Sequence, residues 1–332
     1  MPDVSPDIPR LVITDFPFPP PDQVRLRAAL GDDKIVFTSG AQALREALAA
    51  HPETDVVISF FPPDDLLTLA PNLRWLALSS AGAEQVFRAG LPQSAPNLLI
   101  TTASGIHAVP ISEYVLSVML MWVRQWTRLI ALQHEREWPQ QGRVLGGELA
   151  GATLGIIGLG SIGRRIAQLG HALGMRVVAQ RRGATPGQSD PDADELLPPD
   201  RLADLLAQAD FVVISAPNTP ETRHLIDATR LRQMKHSAVL INIARGNLVN
   251  EEALIAALRD GTIAGAGLDV VATEPLPIES PLWSMPNVIL SPHLSGLTIR
   301  YGERLTTLFL DNLARYRANQ PLINLVDAAR GY

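Results

Sequence analysis

Three polar residues follow apolar, strand-like runs, and their types suit the handling of protons and carboxylates. Leu240-Ile241-Asn242-Ile243-Ala244 runs into Arg245-Gly246. Gly267-Leu268-Asp269 leads through Val270-Val271-Ala272-Thr273 to Glu274-Pro275, and Leu290-Ser291-Pro292 leads to His293. Arg245 offers a planar fork of N–H donors that matches a carboxylate. His293 can give or take a proton near neutral pH. Glu274 would hold an imidazole N–H and so fix the orientation of the ring. Each residue lies just past the carboxyl end of an expected strand, the edge at which open α/β sheets bind ligands. Taken singly, each has a plainer explanation: a strand-end ion pair for Arg245, a solvated carboxylate for Glu274, a structural core ring for His293. His51, His107, His134, His171, His224 and His236 have no such setting, and no metal-ligand cluster is visible in the sequence.

A second constellation is glycine-rich. The strand-like Leu154-Gly155-Ile156-Ile157 enters Gly158-Leu159-Gly160-Ser161-Ile162-Gly163, and Arg164-Arg165-Ile166-Ala167 opens a helix. Gly158 suits a tight turn, Gly160 the close approach of a pyrophosphate, and Gly163 close packing of helix on strand. The helix N-terminus supplies N–H groups for the phosphates. A dinucleotide site follows from this context rather than from the glycines alone. The next strand ends in Gln180-Arg181-Arg182 rather than in the acid that usually receives the ribose hydroxyls of NAD, and no carboxylate occurs before Asp190. Two guanidiniums can instead take a ribose 2′-phosphate, so NADP is expected and NAD is possible. The alternative is a pair of solvated arginines, with NAD held by other contacts.

To bring these residues to one edge, the chain must build parallel sheets. Strands are expected at Leu11–Thr14, Lys34–Phe37, Asp55–Ser59, Trp75–Leu78 and Leu98–Thr102, with helices near Val24–Leu30 and Ala43–Leu48. Pro19-Pro20-Pro21 reads as a loop. One long helix is expected over Pro110–Trp138, then a glycine-rich loop over Gly142–Gly151. A second series of six strands covers Thr153–Ile157, Arg176–Ala179, Phe211–Ile214, Ala238–Ile243, Ala264–Asp269 and Val288–Leu290. Thr185–Asp200 reads as a surface loop, and a last helix spans about Leu297–Arg317. Because no strand follows Leu290, that helix is expected to fold back. One domain would then comprise 1–101 and 295–332, and an inserted domain 102–294.

The bulk properties exclude other classes. The 332 residues are 46% hydrophobic, enough for two cores, and 34 acidic against 28 basic residues give a net charge of −6. That balance, without a basic patch, argues against nucleic acid and anionic membranes. There is no cysteine, hence no disulfide, thiolate metal site or cysteine nucleophile. Met1–Arg10 lacks the apolar core of a secretory signal, and Val115–Val123 is too short to span a bilayer. A cytoplasmic protein is the expectation.

The Arg245, Asp269–Glu274 and His293 segments, with the glycine turn, resemble the D-isomer-specific 2-hydroxyacid dehydrogenases, in the same order along nearly the whole chain. Pro217-Asn218-Thr219-Pro220-Glu221-Thr222 resembles that family's loop near the cofactor. Val326–Tyr332 and Glu279-Ser280-Pro281-Leu282-Trp283 are similar to its glyoxylate/hydroxypyruvate reductase branch. The resemblance implies an α/β fold of two doubly wound parallel-sheet domains, a Rossmann-type cofactor domain inserted into a flavodoxin-like substrate domain. It implies Arg245, Glu274 and His293 as the catalytic set acting on a small 2-oxoacid. Gly158, Gly160, Ser161, Ile162, Gly163, Arg181, Arg182, Pro217, Thr222 and Ile243 would hold the cofactor, and Asp269 would orient the nicotinamide carboxamide. Leu78-Ser79-Ser80-Ala81-Gly82-Ala83-Glu84 resembles the substrate loop, with Ser80, Ala81 and Gly82 joining Arg245 and His293 at the substrate; Ser80 stands for a usual Gly and Glu84 for a usual Asp. A homodimer is implied, with the long helix and the loop after it reaching the partner. A D-lactate-type dehydrogenase and a non-catalytic, cofactor-sensing corepressor-like protein are the alternatives, and turnover of an oxoacid separates the latter from an enzyme.

Overall fold

The computed structural model describes residues 9–328. The N-terminal segment read above as lacking a leader's apolar core lies partly outside them, as do the last four residues of the reductase-like C-terminal motif. The chain forms two compact units: Met1–Ile106 with Thr298–Tyr332, and His107–Leu297.

The first unit carries a five-stranded parallel sheet. Its strands are β1 (Val12–Thr14), β2 (Ile35–Phe37), β3 (Val56–Ser59), β4 (Trp75–Leu78) and β5 (Leu99–Thr101), in the order β2-β1-β3-β4-β5. Strands β1, β3 and β4 are buried along their whole length, as parallel strands covered on both faces must be. The C-terminal helix Tyr301–Arg317 belongs to this unit. Its Phe309 and Tyr316 rings stack on fully buried Trp75, with centroids 5.0 and 5.6 Å away, while the indole Nε1–H donates to Thr101 Oγ1 at 2.9 Å.

The second unit carries seven parallel strands. They are β6 (Thr153–Ile157), β7 (Arg176–Gln180), β8 (Glu195–Leu197), β9 (Phe211–Ile214), β10 (Val239–Asn242), β11 (Gly265–Leu268) and β12 (Val288–Leu290). The order β12-β11-β10-β9-β6-β7-β8 runs outward from β6 in both directions. The strand order therefore reverses beside β6, and the crevice at its carboxyl end is where such sheets take ligands. The helix Ala108–Val123 lies close on this sheet because β11 is Gly265-Ala266-Gly267-Leu268. A Cβ on Gly265 would sit 2.1 Å from the Trp122 ring, and one on Gly267 2.5 Å from Val118.

Three sequence expectations need correction. Pro20 and Pro21 are not loop but the first residues of the helix Pro20–Leu30. The N–H groups of a first turn have no acceptor within the helix, so proline's missing N–H costs nothing there, and its φ is already helical. The long helix expected over Pro110–Trp138 is two helices, Ala108–Val123 and Trp126–Glu135, bent by 63°. Gln125 takes a left-handed φ of 54° at the break, and Gly147 N–H donates to the Val123 carbonyl at 2.7 Å. The inserted sheet has a seventh strand, β8, inside the expected loop Thr185–Asp200. At three residues it is too short to show a period of two. Among the described residues no single helix is long and apolar enough to cross a membrane.

Trp75→Ala is expected to remove about 3–5 kcal/mol of stability, the usual cost of emptying a large aromatic site. Urea unfolding followed by far-UV circular dichroism measures it.

Candidate active site

The glycine turn lies at the carboxyl end of β6 and opens the helix Ser161–Ala172. Gly158 has a left-handed φ of 100°, and a Cβ there would also sit 2.8 Å from Ala216 N. Gly163 is held to glycine by the turn itself, since a Cβ would lie 2.2 Å from the Gly158 carbonyl oxygen. Gly160 is exposed, and a Cβ there would meet nothing within 4 Å. The open side of the turn is therefore bare backbone facing a helix N-terminus whose first N–H groups have no helical acceptor, the surroundings a dinucleotide pyrophosphate requires. Ser215, at the end of β9, braces the turn by donating its hydroxyl to Gly158 O at 2.6 Å. Arg181 and Arg182 follow β7, the first half-buried and the second exposed. In the Pro217–Thr222 loop, the Thr222 hydroxyl donates to Pro217 O and accepts from Thr219 N–H, both at 2.8 Å. It thereby shapes the loop internally.

Arg245 follows β10 in extended conformation and is half-buried, its Nη1 donating to Ala244 O at 2.8 Å. Two features that the sequence reading passed over hold it there. Buried Asn242 accepts from Ala244 N–H at 3.1 Å and donates to Arg245 O at 2.9 Å, pinning both sides of the corner. Gly246 lies so close to the loop after β11 that a Cβ would fall 1.9 Å from the Val271 carbonyl oxygen. Ile243, also expected at the cofactor, is buried in the core.

His293 and Glu274 are in contact, with His293 Nδ1 2.8 Å from Glu274 Oε2. A carboxylate oxygen accepts, so in this pair Nδ1–H is the donor. The other Glu274 oxygen accepts from Val271 N–H at 3.3 Å. His293 itself has a φ of +55°, a region that costs a non-glycine residue about 1–2 kcal/mol. Asp269, 1% exposed, holds it there. Its carbonyl accepts from His293 N–H at 2.8 Å. Its carboxylate accepts from Leu294 N–H at 2.9 Å, from Ser295 N–H at 3.1 Å, from Ser291 Oγ–H at 2.5 Å and from the Ser295 hydroxyl. Because the single Ser291 hydroxyl proton goes to this carboxylate, Tyr114 donates in turn to Ser291 Oγ, 2.8 Å away. Burial raises the Tyr114 pKa and keeps it a donor. A contact between Asp269 and a nicotinamide carboxamide, as expected above, would have to share acceptor sites that the His293 loop already uses.

In the other unit the Ser79–Gly82 loop follows β4. Ser80, in place of the usual glycine, donates its hydroxyl to Gly82 O and accepts from Gln85 Nε2–H, both at 2.8 Å. The replacement ties the loop to itself and leaves Ala81 exposed at its crest. Glu84 sits in the first turn of the following helix, Glu84–Arg88.

Residues 116–295 match the family model described as the D-isomer specific 2-hydroxyacid dehydrogenase, NAD binding domain. The chain belongs to the D-isomer-specific 2-hydroxyacid dehydrogenases. It is 35% identical over 296 residues to the (S)-sulfolactate dehydrogenase of Chromohalobacter salexigens, covering 88% of this chain and 91% of that protein. It is 34% identical over 277 residues to the glyoxylate reductase of Aeropyrum pernix, covering 79% of each. The NADPH-dependent glyoxylate/hydroxypyruvate reductase of Sinorhizobium meliloti, solved with NADP and sulfate, superposes with a TM-score of 0.79 at 27% identity, covering 97% of this chain and 99% of that one.

Membership makes the chain a nicotinamide-dinucleotide-dependent 2-hydroxyacid dehydrogenase. What sequence reading missed are the supports: Asn242, Ser215, Tyr114, Ser291 and Ser295. None has a type that signals function, and only the contacts reveal them.

Asp269→Asn puts an N–H₂ where donors converge. We expect kcat to fall about tenfold to a hundredfold, a barrier increase of about 1.4–2.8 kcal/mol, with cofactor affinity changed less than about threefold. Steady-state kinetics beside a cofactor fluorescence titration measure both.

Proposed function

We propose that the chain is an NADPH-preferring reductase of small 2-oxoacids, with glyoxylate and hydroxypyruvate as its substrates. The observation that carries this reading is the Glu274–His293 pair, 2.8 Å apart on a loop that Asp269 immobilises. In the proposed reaction Arg245 binds the carboxylate and carbonyl oxygens of the oxoacid through its planar fork. His293 donates the proton from Nε2 to the nascent alkoxide, while Glu274 stabilises the charged ring and keeps its orientation. Run in reverse, His293 takes the proton from a 2-hydroxyacid. The bound nicotinamide supplies the hydride for reduction, or accepts it in reverse.

In this reading the His107–Leu297 unit holds the dinucleotide on Gly158–Gly163, with Arg181 and Arg182 toward a ribose 2′-phosphate. The other unit is the substrate domain in this reading, with Ser80, Ala81 and Gly82 as its own substrate-binding residues. Three things support NADPH and these substrates: the absence of an acid from the end of β7, the glyoxylate reductase relative, and the NADP complex of the Sinorhizobium enzyme. A homodimer completes the proposal. The helix Trp126–Glu135 buries none of its residues, and Trp126, Ile130, Trp138 and Leu145 are exposed on this helix and the loop after it. Apolar surface of that kind is usually covered by a partner.

Arg245→Ala and His293→Ala should each lower kcat by about 10²–10⁴ and leave the Kd for NADPH within about threefold; near wild-type turnover in either variant contradicts the assignment. Sedimentation velocity should give twice the 35.9 kDa chain mass, whereas a monomer at micromolar concentration contradicts the dimer.

A further inference from the structure

The residues after β7 contain a charge network that no motif announces. Asp190 receives Arg164 as a two-pronged pair, Nη1 to Oδ1 at 2.8 Å and Nη2 to Oδ2 at 2.9 Å. The same carboxylate receives Arg181 Nη1 on Oδ2 at 2.9 Å and its own loop's Asp192 N–H on Oδ1 at 3.1 Å. Asp192 closes the group by accepting from Arg164 at 2.7 Å and from Gln168 Nε2–H at 3.1 Å. These cations hold both carboxyls below their ordinary pKa, so both are ionised at neutral pH.

Arg164 stands in the first turn of the helix opened by the glycine turn, and Arg181 follows the end of β7. Asp190 thus ties the phosphate-binding helix to the strand end where an adenosine ribose is expected. Strand β8 makes this possible: after a wide loop it brings the chain back alongside β7, and Asp190 lies five residues before it.

Two simple readings of Asp190 conflict with the geometry. As the acid for the ribose hydroxyls of NAD it would need an unused acceptor. A carboxylate has about four acceptor positions, and four donors already occupy them. As a bare negative charge it would repel a 2′-phosphate, yet its side chain is only 5% exposed while that of Arg181 is 29% exposed. An approaching phosphate meets the guanidinium, with the carboxylate behind it. The bond to Asp190 uses one of five N–H donors on Arg181 and restrains a side chain that otherwise has wide rotamer freedom.

We propose that Asp190 is a positioning residue for cofactor selectivity, holding the Arg181 guanidinium, through its shared pairing with Arg164, in place for the ribose 2′-phosphate of NADP. This rests on the NADPH reading above. The experiment measures Kd and kcat for NADPH and NADH in the full-length wild type, Asp190→Ala and Asp190→Asn. In Asp190→Ala the Kd for NADPH rises about tenfold, the Kd for NADH stays within about twofold, and kcat at saturating NADPH is unchanged. Asp190→Asn keeps the side-chain volume and shows a smaller rise in the same direction, which preserves the test if the alanine variant folds poorly. Unchanged or tighter NADPH binding overturns the proposal, because the carboxylate is then a bystander or a repelling charge. Equal weakening of both cofactors also overturns it, since Asp190 then only supports the loop. A wild type without NADPH preference removes the underlying reading and this proposal together, whereas a wild-type preference that survives Asp190→Ala removes this proposal alone.

Discussion

A buried carboxylate must be fully hydrogen-bonded or it destabilises the fold, and at Asp269 that requirement shapes the loop that carries His293. Its oxygens gather the Leu294 and Ser295 N–H groups and the Ser291 and Ser295 hydroxyls, and its carbonyl takes His293 N–H. That convergence forces the chain after β12 into a tight corner and offsets the left-handed backbone of His293. With the corner fixed, the imidazole reaches Glu274, whose own loop is anchored by Val271 N–H. Val271 is in turn the segment against which Gly246 is packed, so the corner bearing Arg245 and the loop bearing Glu274 are set by one close approach. Breaking any of these contacts should disturb the others.

The alternating β and α pattern, most of the strands and the strand-end placement of Arg245, Glu274 and His293 were legible in the sequence, because apolar period and strand-end chemistry are local signals. What escaped was set by context. Pro20 and Pro21 look like helix breakers and act as helix starters, because only the position within a helix decides which. The break at Gln125 is not a sequence signal at all, since glutamine is an ordinary helix former; the N–H of Gly147, distant in sequence, donates to the Val123 carbonyl. Strand β8 is too short to be read. The glycines of β11 are poor strand formers by type, and their reason is the Trp122 and Val118 side chains resting on them. At the site the motif residues were visible, but the small polar residues that hold them were not.

The two ends of the proposed cofactor site use similar physics for different purposes. Asp269 gathers neutral donors to fix the loop that carries His293, and Asp190 gathers cations to fix the Arg181 guanidinium. In both cases the acid stands behind the group proposed to meet the ligand. On that proposal, a chain with a net charge of −6 presents arginines toward anionic ligands because the neighbouring acids are satisfied internally and set the geometry of the cations.

We propose that these strand ends belong to an NADPH-preferring reductase of small 2-oxoacids. The most direct test is kcat/KM for glyoxylate and hydroxypyruvate, measured at the nicotinamide absorbance band with NADPH and NADH in parallel. We expect turnover of both acids with NADPH favoured by at least about tenfold, an advantage of about 1.4 kcal/mol. An NADH preference would contradict the cofactor assignment, and no turnover of either acid with either cofactor would contradict the reductase itself.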